Sequence, residues 1–586
     1  MSTTNNTTTP ATPTYPEQVT GMWVLARSLV MMGVKDMYGI VGIPVTDFSY
    51  VCQQQGIRFF GFRHEQQAGM AAQTHGFLTK TPGVLLTVSS LGFLNGLTAT
   101  TNATVNCYPM VQISGSSQRE PIDLQQGAYE GLDQLAIAKP LVKAAYRVND
   151  VKDIPTAVVR AFRAAMSGRP GGVYLDITTP CLGAVVNRAD VEPLFYTPVD
   201  IAPAMPPAQE AVDRAMKLIA GAKRPAILIG KGAAYAHVED ELKELVEKTG
   251  IPYFAMSMAK GTLPDNGPLS AMACRTTIME TADVVILVGA RLNWLLSRGH
   301  GKWAKNPDLK FVQLDIDPTE IDCNVPIAAP VVGDLKSTLD AMLSALPSYK
   351  LSMDPKWVPS LQAETKTKDA KFAERLQAAA TAQPMTHWSA LGVIKPILES
   401  NPDIILVNEG ANTLDDTRDT VNMSLPRHRV DCATWAIMGM GMGSCVGAAT
   451  STGKQVVGVI GDSAFGFTGM DFSTICRFKL PVTVVVFNNG GIYNGIGVNM
   501  SKPGEASYGD PAPTTLDIDA HYEKIAEAFG ADAYYVTTPA ELDKALKASI
   551  ASKRPTLINV QLAADSGKES GHIGYLNPEA LQHVIV

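Results

Sequence analysis

Short apolar runs rich in β-branched residues alternate along the chain with longer stretches in which apolar residues recur every three or four positions. That alternation predicts parallel sheets covered by helices on both faces, and it comes in three blocks. In the first block the predicted strands are residues 37–40, 83–88, 110–114 and 172–177. In the second, residues 225–229, 284–288 and 311–314 are largely apolar, as strands buried on both faces should be. The third offers residues 404–407, 455–460, 482–487 and 556–560. Each block carries its own apolar complement, so the predicted fold class is α/β, with three doubly wound parallel-sheet domains. A polar, proline-bearing stretch over residues 191–209 reads as a linker, and a long charged helix is predicted from about Asp354 to Ala380. The expected boundaries are a disordered tail at 1–18, domains at 19–190, 210–350 and 384–565, a helical linker at 351–383 and a terminal segment at 566–586.

Composition narrows the functions such a fold could serve. With 46% hydrophobic and 18% charged residues, disorder over most of the 586 residues is excluded. Forty-nine Lys and Arg against 56 acidic residues give a net charge of -7. A chain with no global basic field is a poor partner for nucleic acid or an anionic membrane, so an anionic substrate must meet a local cluster of donors. None of the eight cysteines forms a C-x-x-C pair, which predicts reduced thiols in a cytoplasmic protein. No run of eighteen apolar residues occurs, so no membrane span is expected, and the first twenty residues lack the parts of a signal peptide.

The most specific local signal is Gly461-Asp462-Ser463-Ala464, directly after an apolar run. A strand, a tight glycine turn and a helix start present backbone N–H groups to an anion. The carboxylate of Asp462 would repel a bare phosphate, but it suits one bridged by Mg²⁺, which takes oxygen ligands and few protein carboxylates. Asn488-Asn489-Gly490-Gly491-Ile492-Tyr493 follows at the end of the next apolar run. Two adjacent strand ends can aim Asp462 and Asn489 at one ion, with the Gly491 carbonyl completing the set. Asn-Gly-Gly is also a common surface turn. The pairing of both pieces at this spacing favours a magnesium diphosphate site.

This pair resembles the thiamine diphosphate motif of the decarboxylase and acetolactate-synthase superfamily. The resemblance extends over nearly the whole chain after about Gln18, and its blocks follow the CoA-using oxalyl-CoA decarboxylases, with 2-hydroxyacyl-CoA lyases as near relatives. The residues carrying it include Tyr38-Gly-Ile-Val-Gly-Ile-Pro-Val-Thr46, Gly92-Phe-Leu-Asn-Gly96, Gly289-Ala-Arg-Leu-Asn-Trp294, Asn408-Glu-Gly-Ala-Asn412 and Glu569-Ser-Gly-His-Ile573. It implies a pyrimidine-binding first domain, a nucleotide-binding regulatory middle domain and a diphosphate-binding third. It further implies non-oxidative loss of CO₂ from oxalyl-CoA to leave formyl-CoA, or alternatively the joining or cleaving of formyl-CoA and an aldehyde.

Carried over residue by residue, the resemblance makes Glu65, in Phe62-Arg63-His64-Glu65, the glutamate that activates the aminopyrimidine of the cofactor. A solvated glutamate at a helix start is the plain alternative for Glu65 alone. Tyr129, Glu130, Tyr493 and Ser570 match oxalyl-handling positions; taken alone, Tyr129 could be a packed helix tyrosine and Ser570 a turn hydroxyl. The cofactor cradle is implied at Ala411, Asn412, Ala436, Met438, Gly461, Asp462, Ser463, Ala464, Asn489, Gly491, Ile492 and Tyr493, with Mg²⁺ on Asp462, Asn489 and Gly491. Arg169, Lys231, Arg291, Asp315 and Ile316 match positions that hold an ADP activator, although surface ion pairing would explain Lys231 alone. Arg275 and Arg418 match positions near the CoA. The family assembly implies an obligatory homodimer, with Glu65 of one subunit meeting the diphosphate domain of another, and a homotetramer beyond it. The chain departs from its relatives in two places: Ala436 replaces a usual glycine, and Ser90-Leu91 replaces a usual Ala-Pro.

Overall fold

A computed structural model describes residues 16–493, 514–517 and 519–567. Three parallel sheets form its frame. The first has six strands in the spatial order Arg58–Gly61, Asp36–Gly39, Gly83–Thr87, Met110–Ser116, Gly172–Thr178 and Ala144–Val148. The second has five, ordered Tyr253–Ala255, Pro225–Ile229, Val284–Val288, Lys310–Asp315 and Ala329–Val332. The third has six, ordered Arg429–Val430, Ile405–Glu409, Val456–Gly461, Val482–Asn488, Thr556–Gln561 and Asp532–Val536. All pairings within the three sheets are parallel, with helices supplying the crossovers, as the alternating pattern requires. A short antiparallel pair, Gln18–Thr20 with Val185–Asn187, ties the start of the first block to its end.

The interior strands are those the apolar runs predict, and the additional ones lie at sheet edges. Ala144–Val148 and Asp532–Val536 are only partly covered, so their sequences lack a continuous apolar signature. Arg429–Val430 is too short to announce itself. The charged stretch forms a helix over Trp357–Ala379 that buries only Trp357 and Leu361.

The first and third sheets share one apolar core, which runs from Tyr38, Leu85 and Met110 to Val407, Phe465 and Val486. Two helices make the seam, Glu65–Thr79 and Gly441–Thr452. They approach so closely that a Cβ on Gly443 would stand 2.3 Å from the carbonyl oxygen of Gln67, and one on Gly447 would stand 2.4 Å from that of Ala71. Only glycine fits at these two positions, because the obstructing atoms are backbone. The middle sheet has its own core on each face. The eight cysteines are all unpaired, and four of them are buried.

Candidate functional site

The Val456–Gly461 strand ends in an extended glycine, and Asp462 opens the helix Asp462–Thr468. Its neighbour strand Val482–Asn488 runs parallel to it and ends one register position later, at Asn488–Asn489. Adjacent parallel strands release their chains at the same sheet edge, which is where ligand sites gather in such folds. Asp462 is 2% exposed, and its carboxylate accepts from the backbone amides of Ser463 at 2.7 Å, Gly490 at 2.8 Å and Gly491 at 3.1 Å. Burial pushes its carboxyl up to about 6, against the opposing pull of those amides.

Asn489 is equally constrained. Its amide nitrogen donates to the carbonyls of Tyr493 at 3.1 Å and Ala564 at 3.3 Å, which leaves the side-chain oxygen for another partner. Asn412, at the start of the helix Asn412–Thr420, donates to the same Tyr493 carbonyl at 3.4 Å, and Ala411 is its N-cap. Asp462, Asn489 and Gly491 are thus gathered at one turn, Gly491 through its amide on the Asp462 carboxylate and Asn489 through the Tyr493 and Ala564 carbonyls. Among the described residues no group of three His, Cys, Asp or Glu side chains is gathered for a metal. A hard cation bound largely through diphosphate oxygens needs no such group.

Glu65 stands on the other sheet. It opens the helix Glu65–Thr79 after the edge strand Arg58–Gly61, with His64 as the N-cap. Its half-buried carboxylate accepts from Asn95 Nδ2 at 3.1 Å, and the helix Leu91–Asn106 begins beside it. Ser90, at the N-cap of that helix, has φ 52°. Leu91 follows with 70% of its surface exposed, so the departure from Ala-Pro leaves an open apolar side chain near Glu65. Tyr129 and Glu130 lie in the turn before the helix Gln134–Ala138. Tyr129 is 68% exposed, which removes the packed-helix reading, and its carbonyl accepts from Ser117 Oγ at 2.7 Å. Glu130 accepts from Ser89 Oγ at 2.5 Å and sits at φ 48°. Among the described residues no hydrogen bond joins Glu65, Tyr129 or Glu130 to Asp462 or Asn489. Ser570 lies outside the described residues.

Two polar side chains without a role in the sequence reading clamp the turn that carries Ala436 and Met438. From the third sheet, the carboxylate of Glu409 accepts from the amides of Gly439, Met440 at 2.9 Å and Gly441 at 2.6 Å. It is buried, and burial pushes its carboxyl up to about 7. From the first sheet, Gln67 donates to the Gly439 carbonyl and accepts from the Gly443 amide at 2.9 Å. Gln66, next to Glu65, reaches the Met438 carbonyl at 3.5 Å. A polar residue at the end of an apolar strand was the available signal for Glu409; Gln67 gave none. Ala436 is absent from the residues with positive φ, so its Cβ brings no backbone strain.

The second large feature is a cavity of about 360 Å³ where the three blocks meet. Arg169, Lys231, Arg291, Asp315 and Ile316 all line it, and the linker residues 200–205 close one side. Arg169 bridges Asp317 at 2.8 Å and Glu320 at 2.5 Å, while Arg291 reaches Glu320 at 3.5 Å. The ammonium of Lys231 is shut off from solvent with no hydrogen-bond partner among the described residues, 4.1 Å from the Tyr108 ring centroid. Burial lowers its pKa to about 8. An enclosed cation that faces a cavity and has no ion-pair partner among the described residues is suited to an anion. Asp315 ends its strand at the cavity, where a carboxylate can accept ribose hydroxyls. Beyond the rim, Arg275 donates to the carbonyl of the lining residue Leu295 at 2.8 Å. Burial and the nearby Arg418 charge lower the Arg275 pKa, while Arg418 itself pairs with Asp415 at 2.9 Å and Asp419 at 3.5 Å.

Family models match along the chain: the thiamine pyrophosphate enzyme N-terminal TPP binding domain at residues 19–137, the central domain at 212–342 and the C-terminal TPP binding domain at 415–560. Oxalyl-CoA decarboxylase of Escherichia coli (strain K12) is 49% identical over 559 residues, covering 95% of this chain and 98% of that protein. 2-Hydroxyacyl-CoA lyase of Arabidopsis thaliana is 39% identical over 574 residues, covering 96% and 99%. The Homo sapiens 2-hydroxyacyl-CoA lyase 1 is 37% identical over 574 residues, covering 96% and 97%.

Proposed function

The chain belongs to the thiamine pyrophosphate enzymes, and on that premise we propose that it decarboxylates oxalyl-CoA to formyl-CoA and CO₂, using thiamine diphosphate and Mg²⁺, as a cytoplasmic step in oxalate breakdown. The observation that carries the cofactor half is the buried Asp462 carboxylate, held among the described residues by backbone amides and set beside an Asn489 whose amide nitrogen is already committed. Asp462, the Asn489 side-chain oxygen and the Gly491 carbonyl would hold Mg²⁺, with Gly461, Ser463, Ala464, Ala411, Asn412 and Ile492 around the diphosphate. When bound, the cofactor supplies the electron sink for loss of CO₂.

The remaining work falls to side chains. Glu65 keeps one face of its carboxylate open and would hold or pass a proton at the aminopyrimidine. Met438 and the Ala436 carbonyl would support that ring from the other sheet. The hydroxyls of Tyr129, Tyr493 and Ser570 would orient the oxalyl carboxylate and thioester by donated hydrogen bonds that add no charge beside the departing CO₂, with Glu130, held by Ser89, at the same wall. The family's assembly, in which the activating glutamate and the diphosphate domain come from different subunits, leads us to infer a site completed by a second subunit in a homodimer, paired further into a tetramer. Arg275 and Arg418 would meet CoA phosphates, and the cavity at Lys231, Arg169, Arg291, Asp315 and Ile316 would take ADP as an activator.

The test is to incubate the cofactor-loaded chain with oxalyl-CoA and to follow formyl-CoA and CO₂. Stoichiometric release of both is expected; no turnover by folded, cofactor-loaded protein would reject the reading. The lyase relatives at 37–39% identity support a second activity on the same site. Offering a 2-hydroxyacyl-CoA and finding the aldehyde as the faster product would make that activity the principal one.

A further inference from the structure

The cavity and the cofactor cradle share one turn of chain. Ala433 and Thr434 line the cavity, and Ala436 and Met438 follow within the same segment. The middle sheet holds this turn from one side: Trp294 Nε1 donates to the Thr434 carbonyl at 3.1 Å, and Asn293 Nδ2 reaches Thr434 Oγ1 at 3.4 Å. Asn106 of the first block holds it from the other. Its side-chain oxygen accepts from the amides of Thr434 at 3.2 Å and Trp435 at 3.0 Å, and its nitrogen donates to the Trp435 carbonyl at 3.1 Å. Asn102 adds a second donor to that carbonyl at 2.9 Å. Asn106 is 1% exposed, and a carboxamide alone offers an acceptor and a donor in one plane to pair with both backbone groups of Trp435.

Asn106 also ends the 16-residue helix Leu91–Asn106. That rod, about 24 Å long at 1.5 Å per residue, carries Asn95, the partner of Glu65, near its start. Cys107, which caps its other end, lines the cavity. One rigid element therefore touches the cavity wall, the turn before Ala436 in this chain's own cofactor cradle, and Glu65, which on the dimer reading serves the partner's cofactor.

We propose that Asn106 is a positioning residue that couples occupancy of the cavity to the cofactor site, by fixing the Thr434–Trp435 turn to this helix. The inference rests on the cofactor and nucleotide assignments above. It goes beyond them in naming the element whose placement both ligands bias. Coupling of this kind is reciprocal: whatever factor the cofactor applies to nucleotide affinity, the nucleotide applies to cofactor affinity.

The experiment titrates ADP into the full-length protein, by calorimetry, with and without Mg²⁺ and thiamine diphosphate, and then titrates the cofactor with and without ADP. In the wild type both ratios should be equal and at least about fivefold. In Asn106→Ala both ligands should still bind, with the ratios reduced to within about twofold of one. Asn106→Asp keeps the acceptor for the two amides and loses the donation, so it should retain part of the coupling; it decides the matter if the alanine variant fails to fold. Ratios unchanged in a folded variant, or no coupling in a wild type that binds both ligands, would overturn the relay and leave the decarboxylase reading standing. Failure of ADP to bind the wild type would overturn the nucleotide assignment and the relay with it, while formyl-CoA production would still report on the activity.

Discussion

The first and third sheets have the same strand order, yet they hold their key carboxylates in opposite conditions. Numbered along each block, both run 2-1-3-4-6-5. Each carboxylate opens a helix after a parallel strand, Glu65 on the first sheet and Asp462 on the third. Glu65 stands half-buried after an edge strand, with one side-chain donor from Asn95. Asp462 follows an interior strand and is locked by three backbone amides. On the proposed roles, one scaffold would serve two chemistries through the depth of its carboxylates. A group that must exchange a proton needs an open face, whereas a group that must hold a cation needs to be fixed and poorly hydrated.

If that contrast is right, the two carboxylates must fail differently. Asp462→Ala should give the largest effect: turnover at background, and no thiamine diphosphate retained after gel filtration with Mg²⁺. Retention of cofactor by that variant would break the contrast. Glu65→Gln should retain cofactor while losing roughly 10²- to 10⁴-fold in turnover, the range of general acid–base catalysis. Measuring cofactor content beside kcat for each variant separates binding from proton transfer.

Glu409 sharpens the comparison, because it is a third carboxylate, deep in the same sheet as Asp462, that holds a turn through three amides. Its carboxyl is raised by burial, so its contribution to stability is full below its ordinary 4.5 and is lost as pH rises through about 7. Relative to Glu409→Gln, the cofactor-free wild type should lose up to about 3 kcal/mol between pH 4.5 and 7. Urea midpoints of the two proteins at both ends of that window check the sign; a difference that grows in favour of the wild type would contradict it. The smallest effect is expected at Ala436→Gly, within about twofold in kcat, because the residue does not occupy the φ > 0 region that only glycine tolerates freely.

Much of this arrangement is legible before any coordinates. The interior strands declare themselves as apolar runs, and Asp462 and Asn489 stand at strand ends the pattern already marks. The edge strands Ala144–Val148 and Asp532–Val536 do not, because half-covered strands mix polar with apolar residues. Nor do the clamps. Gln67 and Asn106 work by pairing with backbone groups hundreds of residues away, and a backbone partner leaves no trace in side-chain spacing. The linker at 191–209 reads as a passive connection, but residues 200–205 form a wall of the cavity. Its role comes from where the chain must pass between two sheets, which composition does not encode.

On the proposed reading, Glu65 of one subunit and Asp462 of another make one decarboxylating site. Glu65→Gln and Asp462→Ala proteins, each inactive, should be unfolded, mixed in equal amounts, refolded together and assayed for formyl-CoA from oxalyl-CoA with thiamine diphosphate and Mg²⁺. Hybrid dimers carry one intact site, so the mixture should recover about a quarter of wild-type activity. A mixture that stays inactive, with hybrid dimers demonstrated by differential tags, would rule out a site shared between subunits.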